Sequence, residues 1–133
     1  CYLFFMKPHQ KLDAWKKSFF FVKSIYMITG KFPPDERFGL TSQMRRSAVS
    51  IPSNIAEGAG RKSKKEFIQF LSISLGSLSE LDTQILLSKE LDFIDKATCD
   101  GLIIELDNIG KLIYGLMKSL GYKSEVWVVE SEM

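Results

Sequence analysis

The chain has 133 residues, enough for one domain with its own core. Hydrophobic residues make up 45% of it and charged residues 26%, a composition typical of globular proteins. Its apolar runs are much shorter than the roughly 18 residues that a membrane span needs, so that no transmembrane helix is predicted. The two cysteines, Cys1 and Cys99, do not make a disulfide framework, and we expect a reducing, cytoplasmic location.

The net charge of +2 hides an uneven distribution. Residues 1–65 carry 13 Lys or Arg against 4 Asp or Glu, whereas residues 66–133 carry 5 against 12. Such asymmetry indicates either a basic face for a polyanion or complementary faces that meet in an oligomer.

Three regions are predicted along the chain. Residues 1–10 form an N-terminal extension in which Met6 is a plausible start; a signal peptide is disfavoured because no basic region or small-residue cleavage site is present. Residues 11–122 form the domain. Residues 123–133 are predicted to be a flexible tail, with docking or a short strand at 126–129 as the alternative.

The first helix is predicted over Lys11 to Thr29. Apolar side chains recur at alternating spacings of three and four, which predicts the core-facing stripe: Leu12, Trp15, Phe19, Val22 and Tyr26, widened by Phe21, Ile25 and Ile28. Gly30, followed by Pro33 and Pro34, ends this helix.

The second helix is predicted to begin near Thr41 or Ser42, either of which is a good N-cap. Its apolar stripe is Leu40, Met44, Ala48, Ile51 and Ile55. Pro52 removes a backbone hydrogen bond inside the helix. Since the stripe continues beyond it, we predict one kinked helix rather than two. Gly58 and Gly60 are expected to end the helix.

A polar band flanks this stripe, because residues that advance by about 100° each return to the same side of a helix. The band contains Arg46, Ser50, Asn54, Glu57 and Arg61. Side chains beside a core are half-buried and need partners, and Glu57 can pair with Arg61 at i,i+4. We interpret the band as a structural network, since neither a nucleophile nor a histidine accompanies it.

Two further helices complete the domain. Ser63 and Glu66 form a predicted capping box that starts the third helix, which runs to about Ser88. Asp95 caps the fourth helix, and Gly121 ends it. The buried positions of both repeat at spacings of three and four. With short connections, this pattern predicts an all-α fold, an antiparallel up-down four-helix bundle, whose surplus of apolar side chains indicates self-association.

No catalytic or metal-binding constellation is present. The single histidine, His9, has no cysteine or carboxylate at ligand spacing. A P-loop, a dinucleotide fingerprint and a Glu-x-x-His pair are all missing. We therefore predict neither an enzyme nor a bound metal or cofactor.

The remaining functional signal is a basic segment that leads into a helix N-terminus, where a phosphate is favoured. Lys62, Lys64 and Lys65, together with Arg45, could line a surface that binds nucleic acid through its phosphates. The alternative is a solvated helix start that aids solubility.

The segment FGLTSQMRRSAVSIPSNIAEGAGR, followed after one residue by SKKEFIQFLSISLGSLSELDTQ, strongly resembles the four-helix bundle family of 23S rRNA intervening-sequence proteins. The similarity runs from about Leu12 to Leu120. It implies a bacterial protein that forms a homopentamer, with its reading frame often inside an rRNA gene. Similar proteins also accompany diversity-generating retroelements as accessory subunits of a reverse transcriptase.

The resemblance carries over to individual residues. The implied nucleic-acid contacts are Arg45, Arg46, Arg61, Lys62, Lys64 and Lys65, and the family's structural motif comprises Pro52, Asn54, Glu57, Gly58, Arg61, Ser63 and Glu66. The leading hypothesis is an oligomeric, non-catalytic bundle that binds RNA or DNA. The alternative is a protein-interaction scaffold, such as an accessory subunit of a reverse transcriptase that does not itself bind nucleic acid. Neither hypothesis involves a membrane.

Overall fold

A computed structural model describes residues 6–123. This part of the chain contains four α-helices and no strand: Asp13–Thr29 (α1), Leu40–Ala59 (α2), Lys64–Glu90 (α3) and Lys96–Ser119 (α4). Two 3₁₀ turns, Pro8–Lys11 and Pro34–Glu36, precede α1 and α2. The all-α class and the number of helices are therefore confirmed. The predictions made for residues 1–5 and 124–133 lie outside the described residues.

The four helices enclose one core. Helix α1 packs against α2 and α4, and α3 packs against the same two helices, so that within residues 6–123 the diagonal pairs make no close backbone contact. Apolar side chains from all four helices fill the interior. Those of the three longest helices are Met44, Ala48, Ile51 and Ile55 from α2, Leu71, Leu81 and Ile85 from α3, and Cys99, Leu102, Leu106, Ile109, Ile113 and Met117 from α4.

The contact between α2 and α3 depends on small polar side chains. The Ser74 hydroxyl is buried in this contact and donates a hydrogen bond to the carbonyl of Ile51, with an Oγ–O distance of 2.9 Å. Further along, Ser88 Oγ lies 3.3 Å from Met44 Sδ. The end of α2 therefore lies beside the start of α3, and α2 continues through Pro52 as a single helix.

Several predicted helix ends are confirmed. Ser63 Oγ accepts a hydrogen bond from the backbone N–H of Glu66 at 3.1 Å, and Asp95 Oδ1 accepts one from Thr98 at 2.7 Å. Each of these bonds satisfies an N–H group that has no partner within its helix. Ser63 is thus the predicted N-cap, but the return bond from its N–H to the Glu66 carboxylate, which a full capping box requires, is not formed within residues 6–123. Gly121, just beyond α4, has a φ of +100°, a conformation that only glycine adopts without strain.

The predicted N-cap of the second helix is wrong. Helix α2 begins at Leu40, with Gly39 as its N-cap, and Thr41 is buried rather than capping. Glu36 Oε1 accepts a hydrogen bond from the backbone N–H of Leu40 at 3.2 Å. A carboxylate from the preceding 3₁₀ turn thus replaces the hydroxyl that was expected to act as the cap.

The predicted core face of the first helix is confirmed in part: Phe21 and Ile25 are buried, and Leu12, Trp15, Val22 and Ile28 pack against the core while partly buried. The buried residues of α1 are Ala14, Ser18, Phe21, Ile25 and Thr29. On the predicted stripe, by contrast, Phe19 and Tyr26 are exposed. Small side chains at Ala14 and Ser18 let neighbouring helices approach more closely than the rings of Trp15 and Phe19 would allow. The aromatic stripe therefore lies on the outer surface of the α1–α2 pair.

Gly58 does not end α2 as expected; it lies inside the helix and is buried. A Cβ atom placed on it would be 2.8 Å from both Phe67 Cδ1 and Phe70 Cβ. The helix instead ends at Ala59, with Gly60 as the C-cap. Gly58 is therefore required for the close approach of α2 and α3.

We expect Gly58→Ala to lower the free energy of unfolding by about 1–3 kcal/mol, because the new methyl group overlaps both phenylalanine side chains. Gly76→Ala is the matched control: Gly76 also lies inside a helix, but nothing approaches its Cβ position within 4 Å. That control should raise stability by about 0.5–1 kcal/mol through helix propensity. Urea unfolding at one protein concentration measures the free energy of unfolding of both variants. Equal effects of the two substitutions would contradict the role of Gly58 in close packing.

Candidate nucleic-acid interface

The predicted basic segment forms the connection between α2 and α3. Close packing at Gly58 holds the two helices together just before this connection, so that residues 60–63 form a tight corner. Lys62, Lys64 and Lys65 are exposed there, and none of them forms an ion pair with another residue of the described chain. Their three ammonium groups thus project from one corner of the bundle.

Arg61 is held in place more firmly than these lysines. Its guanidinium Nη2 lies 3.4 Å from Glu57 Oε2, which confirms the predicted i,i+4 pair. The guanidinium carbon also lies 4.9 Å from the centre of the Phe70 ring. Both charged side chains remain roughly half-exposed, and pairs of this kind contribute little to stability. Arg61 therefore keeps a solvent-facing charge in a defined orientation.

The N-terminus of α3 adds to the positive potential at this corner. The Ser63 hydroxyl caps the N–H of Glu66, whereas helix geometry leaves the N–H groups of Lys64 and Lys65 without intrahelical acceptors. Free N–H groups and the helix dipole favour an anion such as a phosphate. Glu66, in the same turn, is the one acidic side chain that opposes this effect.

The structure places Arg45 differently from the predicted surface lysines. Its Nε donates to Thr29 Oγ1 at 2.9 Å, its Nη2 donates to the carbonyl of Tyr26 at 3.3 Å, and its guanidinium lies 4.5 Å from the Tyr26 ring centre. Arg45 is therefore a half-buried link between α1 and α2. It also lies about 24 Å along the helix axis from Arg61, at 1.5 Å per residue, so that the two do not share one small site.

Only part of the predicted polar band forms a network, and that part is half-buried. Asn54 Nδ2 donates to the carbonyl of Ser50 at 2.9 Å, and Ser50 Oγ lies 2.7 Å from Ser77 Oγ of α3. Ser50 and Asn54 therefore form a hydrogen-bonded group that links α2 to Ser77 of α3. Arg46, by contrast, is exposed, and its side chain forms no hydrogen bond or ion pair with residues 6–123.

Further cations lie at the same end of the bundle, and the sequence interpretation did not include them. The turn Pro8–Lys11 contacts α1 and α2, with the His9 ring centre 5.1 Å from that of Trp15. At the other terminus, Met117 and Tyr122 line a cavity together with Leu75 of α3. The added cations are Lys7, Lys11, Lys118 and Lys123. The signal in the sequence that could have identified them was the predicted alternation of helix directions, which brings the start of the first helix and the end of the fourth helix near the connection between the second and third.

We define the basic end as residues 7–17, 57–66 and 111–123. These segments contain eleven Lys or Arg and three acidic residues, Asp13, Glu57 and Glu66. Residues 31–46 and 80–100, which we call the acidic end, contain six Lys or Arg and eight Asp or Glu. Burial, with repulsion from Asp107, raises the pKa of Asp82 in this second region. The two sets of segments thus differ in the sign of their excess charge.

Within residues 6–123, no three His, Cys, Asp or Glu side chains converge in a way that could hold a metal ion. None of the helices described is long and apolar enough to cross a membrane.

Comparison with protein families gives one match, which covers most of the chain. A family model described as 23S rRNA-intervening sequence protein matches residues 10–115, a range that includes all of α1–α3 and most of α4. No curated protein matches the chain.

A similar fold is found among solved structures. One is the crystal structure of a protein with unknown function from the S23 ribosomal protein family of Bacteroides thetaiotaomicron. It is 25% identical to this chain, with a TM-score of 0.71, and the alignment covers 79% of this chain and 98% of the other. The similarity supports the helical-bundle architecture and assigns no activity.

The contacts of Arg45 predict that it contributes to stability more than its neighbour does. Arg45→Met should lower the free energy of unfolding by about 1–2 kcal/mol, through lost hydrogen bonds and the lost contact with the Tyr26 ring. Arg46→Met removes the same charge from the next position and should change stability by less than about 0.5 kcal/mol. Urea unfolding of the two variants provides the comparison; a loss at Arg46 as large as that at Arg45 would refute this assignment.

Proposed function

We propose that this chain, which belongs to the 23S rRNA-intervening sequence protein family, is a non-catalytic protein that binds RNA or DNA through phosphate contacts. The observation that carries the proposal is the basic end. It joins lysines that form no ion pair within residues 6–123, an oriented arginine and a helix N-terminus on one surface. Each of these three features attracts phosphate by a different physical effect.

The chemistry of these groups favours backbone contacts over base recognition. Lys62, Lys64 and Lys65 present ammonium groups on flexible stems, which bind phosphates as point charges and carry little sequence information. Arg61 is the best candidate for a directional contact, since its guanidinium is already oriented by Glu57 and Phe70. The proposed protein therefore recognises the charge and shape of its partner more than its sequence.

Arg45 and Arg46 have a secondary role in this proposal. Both lie outside the basic end, and Arg45 already uses part of its hydrogen-bonding capacity within the fold. A nucleic acid that also contacted them would have to extend along α2. Lys11 and Lys118, which lie at the basic end, are expected to matter more.

We also propose the finer architecture as an antiparallel up-down bundle, kinked at Pro52, that forms a homo-oligomer. The contacts of Ser74 with Ile51 and of Ser88 with Met44 support opposite directions for α2 and α3. Large apolar side chains exposed on α3 and α4 support self-association. They are Ile73, Leu86, Leu87 and Ile104, with Leu91 just beyond α3. The family resemblance implies five copies.

A protein-interaction scaffold is the second candidate function, and the same exposed apolar side chains favour it. In that case the partner would be another protein, such as a polymerase, and the basic end would serve solubility. Purification after nuclease treatment distinguishes the two: a protein partner that stays bound without nucleic acid favours the scaffold.

The binding proposal predicts the effect of reversing three charges. Lys62→Glu, Lys64→Glu and Lys65→Glu combined should weaken binding to a structured RNA by more than about tenfold at low salt. Because each lost phosphate contact removes about 0.9 from the slope of log K against log salt, three lost contacts should reduce that slope by about 3. Fluorescence anisotropy at several salt concentrations measures both quantities.

The matched control for this experiment reverses three cations elsewhere: Lys31→Glu, Arg37→Glu and Lys89→Glu make the same change in net charge. If binding depends on the basic end, this control should keep most of the affinity and nearly the full salt slope. An equal loss in both triple variants would show that only net charge matters, and no binding by the unaltered protein at low salt would refute the proposal.

Self-association has its own test. Light scattering at micromolar concentration should give a mass several times that of one chain, because the exposed apolar side chains are covered by neighbouring copies. A monomer under these conditions would contradict this part of the proposal and leave the binding test unaffected.

A further inference from the structure

An apolar groove runs between α1 and α2 on the outside of the bundle. Its volume is about 720 Å³, and almost all of its surface is carbon. Its walls come from the partly exposed aromatic stripe of α1 and from the region around Pro52 in α2. The lining residues are Trp15, Phe19, Phe20, Val22, Lys23, Tyr26, Val49, Pro52, Ser53 and Ala56.

The aromatic side of this groove is unusually exposed. Phe19 is 48% exposed and Phe20 is 66% exposed, although the rings of Trp15, Phe19 and Phe20 follow one another at centroid distances of 4.8 and 5.3 Å. A contiguous apolar surface of this kind is unfavourable in water. It marks a site that another segment of the chain or another molecule covers.

The rim of the groove carries positive charge. Lys23 lines the groove itself, and the guanidinium of Arg45 stacks over the Tyr26 ring at one end of it. Arg46 precedes Val49 and Ser53 at spacings of three and seven, which brings it to the same side of α2. No acidic side chain is among the groove-lining residues of the described chain. The groove thus fits an apolar segment with acidic flanks.

The sequence contains such a segment just beyond α4. Residues 124–133 read SEVWVVESEM, in which four large apolar residues, 126–129, lie between Glu125 on one side and Glu130 and Glu132 on the other. We propose that this segment binds in the α1–α2 groove, with Trp127 and the flanking valines covering the aromatic floor and the glutamates facing Lys23, Arg45 and Arg46.

The position at which the chain leaves α4 is compatible with this binding. Helix α4 ends at Ser119, in the basic end, where Trp15 and Ala56 form the near end of the groove. Ten extended residues span up to about 33–36 Å. Neighbouring helix axes are separated by only about 8–10 Å. The segment can therefore reach the groove of its own copy or that of an adjacent copy. The inference does not depend on nucleic-acid binding.

Fluorine NMR of the full chain labelled with 5-fluorotryptophan tests the inference, because the protein has two tryptophans, and they lie on the two proposed partners. Trp127→Phe assigns the two resonances. We expect the Trp127 resonance to differ from its position in urea. In Val49→Glu it should shift to the urea position, because the new carboxylate in the groove repels the acidic segment.

Two further variants make the test specific. Phe38→Glu is the control: Phe38 is 89% exposed, but it precedes α2 and lies outside the groove and outside the side chains proposed for self-association. It should leave the Trp127 resonance unchanged. Val128→Glu changes the proposed occupant of the groove but substitutes no residue of the helices. It should shift the resonance of Trp15. Circular dichroism checks that each variant remains folded.

The outcomes separate the possible occupants. A Trp127 resonance that moves with Val49→Glu and a Trp15 resonance that moves with Val128→Glu support binding of residues 124–133. If these resonance shifts persist when the protein is diluted, the segment binds within its own copy. If the shifts disappear on dilution, the segment binds to an adjacent copy. A Trp127 resonance at the urea position in the unaltered protein overturns the inference. The inference is also overturned if Val49→Glu changes the association state but leaves the Trp127 resonance where it was. In that case a second copy of the chain would cover the groove.

Discussion

The close approach of α2 and α3 at Gly58 is the constraint on which the rest of the structure depends. A side chain at this position would overlap Phe67 and Phe70, so that the corner between the helices could not close. With the corner closed, Ser74 reaches the carbonyl of Ile51, and the helices stay in register along their length. The same corner projects Arg61 and the following lysines outward, so that one packing requirement determines both the core and the candidate interface.

Much of this arrangement is predictable from local patterns. The buried stripes of α2, α3 and α4 follow from regular apolar spacing, since those helices bury one side and expose the other. Caps at Ser63 and Asp95 follow from short-range hydrogen bonding that depends only on nearby residues. The pair of Glu57 with Arg61 is equally local. Most features determined within one or two helical turns were therefore predicted correctly; the exception is the start of α2, where Glu36 of the preceding 3₁₀ turn acts in place of the predicted cap.

The features that were not predicted depend on contacts between distant segments. Helix α1 is apolar around most of its circumference, and the choice of its buried side depends on how closely Ala14 and Ser18 pack against other helices. The role of Arg45 likewise depends on Thr29 and Tyr26, which belong to another helix. For the candidate site, the segment 61–65 was predictable from sequence, whereas Lys11 and Lys118 become part of it only in the folded chain.

The separation of charge between the basic and acidic ends has a consequence for kinetics. A rigid body with cations at one end and acids at the other has an electric dipole along its long axis. In the field of a polyanion, this dipole experiences a torque that turns the basic end forward before any contact is made, over distances of about a Debye length. Orientation during approach would thus be determined by the whole bundle, even though few side chains form the final contacts.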